Sequence, residues 1–107
     1  MYHRFEENKY PSTNIRIEDF KSHISIIKEM DFDFITHDDF KKYIEEKDTK
    51  KKILLTIDDG FSSFYRNAWP ILKKEKIPFI IFINTESIGS NGYMNWEEIK
   101  EISEFDF

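Results

Sequence analysis

One strand signal constrains this chain more than any other. The run Ile53-Leu54-Leu55-Thr56-Ile57 ends abruptly in Asp58-Asp59-Gly60. Apolar runs of this length read as buried strands. Asp is depleted within strands, so the two acids mark the point where the strand stops. In parallel α/β sheets, chemistry is done at the carboxyl ends of the strands. A buried strand that delivers two carboxylates there makes a candidate metal or acid/base site. Gly60 allows the tight exit that turns the backbone away from whatever the acids hold.

Around this strand the chain alternates strand and helix signals. Tyr2 to Phe5 reads as a short first strand, and Asn8 to Asn14, with Pro11, as a loop. Glu18 to Met30 is a helix with Phe20, Ile24 and Ile27 on one face. Asp33 to Ile35 is a short strand. Thr36 then caps a helix that carries Asp39 at its third position, followed by Phe40, Tyr43 and Ile44. Lys47 to Lys52 reads as a charged, solvated connection. After Gly60, a helix is expected over 63–75, with a kink or restart at Pro70. Phe79 to Ile83 is a second continuous apolar strand, and Ser87 to Gly92 a loop. Asn95, with Glu98 three residues on, caps a last helix carrying Trp96, Ile99 and Ile102. Glu104 to Phe107 reads as the start of another strand. The order implies an α/β fold with a mostly parallel sheet.

At 107 residues the chain makes at most one domain, and the strand signal at 104–107 leads us to expect part of one. Hydrophobic residues at 39% and 11 Phe are enough for a packed core, with the sheet expected to be buried on both faces. A net charge of −5 argues against a nucleic-acid partner. With no Cys, thiolate metal sites and disulfides are excluded. No basic-then-apolar leader opens the sequence, and no run approaches the roughly 20 residues of a membrane span. These features suggest a cytoplasmic protein.

The stretch from Ile53 to Phe61 resembles the first motif of the polysaccharide deacetylases, the NodB-homology enzymes of carbohydrate esterase family four. Their usual Thr-Phe-Asp-Asp-Gly has Ile57 here in place of Phe. Asn67-Ala68-Trp69-Pro70-Ile71-Leu72 resembles the helix that follows that motif. Ile77-Pro78-Phe79-Ile80-Ile81-Phe82-Ile83 resembles its next strand, and Tyr93 to Ile99 the approach to the second motif. Tyr2-His3-Arg4-Phe5 and the helix around Phe20 are similar to the amino-terminal region of one branch.

The resemblance implies the N-terminal portion of a distorted (β/α)7 barrel. It implies a hydrolase that removes N-acetyl or O-acetyl groups from a glycan with a divalent metal, zinc being expected. Carried over, Asp58 is the catalytic base and Asp59 a metal ligand. A metal lowers the pKa of its bound water and polarises the carbonyl; a neighbouring carboxylate can then accept the proton. The family's other ligands are histidines of a His-(Ser/Thr)-x-x-His motif. That motif is expected just beyond Phe107, so residues 1–107 are expected to form an incomplete domain, inactive alone. The family's leaving-group histidine is expected in a later motif.

Other residues have plainer readings. His3 either lies near the site or is a hydrogen-bonded structural residue. His23 reads as solvated and His37 as part of a capping turn. Trp69 and Trp96 could stack on sugars, but each falls on an apolar helix face, where core packing is expected. Lys50-Lys51-Lys52 reads as a solvated loop. A Mg²⁺-binding receiver domain would need an Asp at the end of the next strand, where Phe82-Ile83-Asn84-Thr85 has none. A glycan-binding homologue without activity is the other alternative.

Overall fold

The computed structural model describes residues 1–47 and 49–107. Its elements run β1 (Arg4–Phe5), β2 (Asn14–Ile15), α1 (Ile17–Glu29), β3 (Asp33–Phe34), α2 (His37–Glu45), β4 (Lys52–Ile53) and β5 (Leu55–Asp59). A π-helical turn (Phe64–Ala68), α3 (Trp69–Glu75), β6 (Phe79–Ile83) and α4 (Trp96–Ser103) complete the order. Every ladder is parallel: β1 with β2, β3 with β4, and β5 with β6. Strands alternating with helices give the α/β fold that the sequence implied.

β5 is the hub. One of its edges pairs with β6 over five rungs, from Leu55 opposite Phe79 to Asp59 opposite Ile83. A backbone seam to the first strand region joins it at Tyr2, whose N–H donates to the Thr56 carbonyl at 3.0 Å. The Tyr2 carbonyl accepts from Asp58 N–H at 2.8 Å. Leu55 and Ile57 point into a core with Phe5, Phe20, Phe64, Leu72 and Met94, all buried. Burying side chains of this size contributes roughly 1.5–3 kcal/mol each.

The caps explain where helices begin. Thr36 Oγ1 accepts from Asp39 N–H at 3.2 Å, so α2 starts where the sequence placed it. Asn95 and Glu98 exchange bonds of 2.9 and 3.0 Å in a full capping box at α4. α1 has no cap from its own preceding residue; instead the Glu6 carboxylate accepts from Ile17 N–H at 2.6 Å. The expected restart at Pro70 is present, because α3 opens with this proline in its first turn. The wide π-helical turn lies just before it.

Several expectations need correction. Asn14 belongs to β2 rather than to a loop, since the turn at 11–13 returns the chain alongside β1. Lys52 is strand, not connection; its ammonium sits 3.4 Å from Asp33 across the β3–β4 ladder. Asp48, within that connection, lies outside the described residues. The single strand read over 53–57 is two: β4 pairs with β3, and β5 pairs with β6. β5 also continues through both acids instead of stopping before them.

Residues 105–107 form no strand. Phe105 and Phe107 fold back onto Trp69, at 5.2 and 6.3 Å between ring centroids, so aromatic packing decides their course. The sheet is not buried on both faces. Phe82 is 56% exposed, and α2 leans over the Ile80–Phe82 face without burying any residue of its own.

Candidate functional site

Pleating sorts the residues at the end of β5. Leu55 and Ile57 face the core, so Thr56 and Asp58 face the opposite, open side. Tyr2 pairs with Ile57 and shares its core side, stacking edge-on against Phe20 at 5.1 Å. The next residue, His3, must therefore point to the same side as Asp58. Its Nε2 lies 3.7 Å from Asp58 Oδ2, and each side chain is 26% exposed. The pair comes together across the Tyr2 seam although 54 residues lie between its members in sequence.

Asp59 behaves differently. Its φ is +71° and that of Gly60 +72°, two successive left-handed residues. Asp tolerates this conformation better than most residues, but it stores strain that the surroundings must hold. The turn sets Asp59 out of the pleat and into solvent, next to the partly shielded Asp58. Two adjacent acids thus occupy distinct environments.

Neighbouring segments clamp the turn. A Cβ on Gly60 would lie 3.2 Å from Ile83 Cγ2 and 3.7 Å from Met94 Cε, so glycine serves both conformation and space. Met94 N–H donates to the Gly60 carbonyl and Ser62 N–H to the Gly92 carbonyl, each at 2.9 Å. Phe61 bridges to Tyr93, with their rings 4.9 Å apart. Downstream, buried Ser63 accepts from Phe5 N–H at 3.1 Å, and the Asn67 side-chain amide donates to the Phe5 carbonyl at 2.9 Å. The residues after Gly60 therefore fix the first strand, which carries His3.

Of the residues singled out from sequence, Asp58, Asp59 and His3 gather at this edge. His23 is exposed as expected, yet hydrogen-bonded, 2.8 Å from the Tyr2 hydroxyl. His37 is an exposed first residue of α2. Trp69 is core, 3% exposed. Trp96 is not: it is 57% exposed, because it opens α4 about a third of a turn away from buried Ile102. The role of Ser63 and Asn67 in holding Phe5 carried no sequence signal; only a buried serine after the acid pair could have hinted at it.

A catalytic zinc ordinarily takes three protein ligands. Among the described residues no three His, Asp or Glu side chains converge to hold a metal. The acid pair can contribute donors to such a centre, but these residues do not complete one. No helix is long and apolar enough to cross a membrane, among the described residues.

Comparison with known proteins places these features in context. The family model described as "Polysaccharide deacetylase" matches residues 45–107. The poly-beta-1,6-N-acetyl-D-glucosamine N-deacetylase of Staphylococcus epidermidis is 39% identical over 79 residues, 73% of this chain and 27% of that protein. The solved structure of IcaB from Ammonifex degensii superposes with a TM-score of 0.85 at 31% identity, over 95% of this chain and 46% of that one. The Streptococcus pyogenes deacetylase PplD, solved with acetate, shares the fold at a TM-score of 0.81 and 23% identity, over 96% of this chain and 50% of that one. The chain thus spans about a quarter of the length of the curated relative and about half that of the solved structures.

Proposed function

This chain belongs to the polysaccharide deacetylase family, and from that premise we propose that the whole protein hydrolyses N-acetyl groups on a glycan, with Asp58 as its catalytic base. The observation that carries this reading is the shielded Asp58 carboxylate facing the His3 imidazole at the carboxyl edge of β5. In the same reading residues 1–107 are the N-terminal portion of a distorted (β/α) barrel. A relative that deacetylates poly-beta-1,6-N-acetyl-D-glucosamine supports an N-acetylhexosamine polymer as the substrate class.

Amide hydrolysis needs a proton removed from the attacking water and one delivered to the leaving nitrogen. Asp58 accepts the first. His3, beside it, is a candidate to deliver the second, alongside the later-motif histidine to which the family resemblance assigns that task. Asp59, exposed, would contribute one ligand to a divalent metal, with imidazole ligands supplied by sequence outside residues 1–107. When bound, that metal polarises the acetyl carbonyl and acidifies water. The strained Asp59-Gly60 turn keeps the two acids apart in role: one held against the imidazole, the other turned outward.

The test is acetate release from an N-acetylated glycan by the whole protein, with and without chelator. We expect release that the chelator stops and added metal restores. A whole protein that binds the glycan but yields no acetate would instead be the non-catalytic homologue.

A further inference from the structure

A cavity of about 530 Å³ lies beside the acid pair without including it. Its walls come from the segments that leave the carboxyl ends of β1, β5 and β6: Arg4 and Tyr10, Phe61, and Tyr93. This is the edge at which ligands of parallel sheets are held, and the volume falls in the range of about 300–1,000 Å³ usual for small-molecule sites. One wall is a stack. The Arg4 guanidinium lies 3.6 Å from the centroid of Phe61 and 4.3 Å from that of Tyr10, and the Tyr93 ring packs against Phe61 at a 37° tilt.

The charges in the lining are uneven. Both of its carboxylates are committed: Glu7 to Arg4 at 3.0 Å, and Glu6 to Arg16 at 3.5 Å and to the start of α1. Of its three cations, only Arg4 is paired in this way. Among the described residues Lys9 and Arg66 have no ion-pair or hydrogen-bond partner. Phe61 is buried between Arg4 and Tyr93, so the cavity presents the exposed Tyr10 ring, the half-buried Tyr93 ring and two unpaired positive charges, with no free acid to balance them.

We propose that this cavity is a flanking sugar subsite that accepts an acetylated, neutral hexosamine and rejects its deacetylated, ammonium-bearing product. The inference rests on the deacetylase reading for the identity of the polymer. Aromatic faces suit the C–H surface of a pyranose, while the cations donate to hydroxyl and acetyl oxygens. An ammonium in the same place meets like charge, which disfavours it at low salt. The site would thus hold polymer that is still acetylated next to the reacting unit and release stretches already processed.

The experiment measures binding of N-acetylglucosamine tetramer and of its fully deacetylated counterpart to the whole protein carrying Asp58→Asn. It is run at about pH 6, where a primary amine is protonated. We expect tighter binding of the acetylated tetramer, by about fivefold or more at low salt, with the difference shrinking as salt is added. The double substitution Lys9→Glu and Arg66→Glu should abolish or invert the preference. Both side chains are exposed, and Arg66→Gln alone, which should reduce the preference, keeps the test open if the double variant melts early. An unchanged preference in folded variants, or no binding of either tetramer, overturns the subsite. Acetate release by the unaltered whole protein is scored separately. Its absence sinks the deacetylase reading, whereas its presence with an unchanged preference sinks only the subsite.

Discussion

His3 Nε2 and Asp58 Oδ2 stand 3.7 Å apart because Tyr2 pairs with Ile57, which turns the residue after Tyr2 and the residue after Ile57 to the same face. The pairing of two backbones thus creates an imidazole–carboxylate couple from residues far apart in sequence. It places an imidazole beside a carboxylate at the carboxyl edge of β5.

If Asp58 takes the proton from water, Asp58→Asn in the whole protein should lower kcat on N-acetyl glycan by about 10²–10⁴-fold while leaving metal affinity unchanged. Steady-state kinetics together with a metal titration would check both. Undiminished turnover would remove Asp58 from the mechanism.

If His3 protonates the leaving amine, His3→Gln should slow glycan deacetylation by a similar factor and scarcely affect an aryl acetate, whose leaving group departs without a proton. Comparing the two substrates separates this role from mere structural support. Equal losses on both would mean that His3 only holds Asp58 or the strand.

If Asp59 is a metal ligand, Asp59→Ala should weaken metal binding sharply, because it would delete an anionic donor from a small set. Loss of metal at concentrations that saturate the unaltered protein, read by titration, is the expected outcome. Unchanged affinity would mean that Asp59 serves only the turn.

Gly60→Ala should destabilise by about 1–2 kcal/mol from the left-handed backbone alone, with further cost from the contact with Ile83. Denaturant unfolding measures it. A change below a few tenths of a kcal/mol would show that the turn relaxes freely.

The Tyr65 hydroxyl donates to Glu101 and links the π-helical turn to α4. This bond holds the Glu101 carboxyl below its ordinary value of 4.5 and raises Tyr65 above its ordinary 10.0. A lowered acid stabilises the fold above its unfolded value and loses that effect as pH falls through the folded one. A raised phenol stabilises below its unfolded value and loses it as pH climbs through the folded one. Melting temperature should therefore sag below about pH 4 and again above about pH 10. Tyr65→Phe should flatten both flanks, and two superimposable profiles would argue against the link.

The alternation of apolar runs with capped helices made the parallel α/β fold legible in advance, and Asp58-Asp59-Gly60 marked the carboxyl end of β5. Local chemistry suffices for such features: a box such as Asn95 with Glu98 closes within four residues. What sequence missed depends on partners far away. β2 exists only because β1 lies beside Asn14 and Ile15, and residues 105–107 follow Trp69 and Phe79 rather than a ladder.

Sequence by itself therefore determined the alternation of strands and helices, the family and the identity of the two acids, since each is written in short-range pattern and spacing. Only tertiary structure decided that His3 faces Asp58, that Asp59 turns outward in a left-handed conformation, and that Trp96 stays in solvent. The physical reason is that the direction of a side chain is set by strand register and turn geometry, and these are fixed by hydrogen bonds between segments that the sequence keeps far apart.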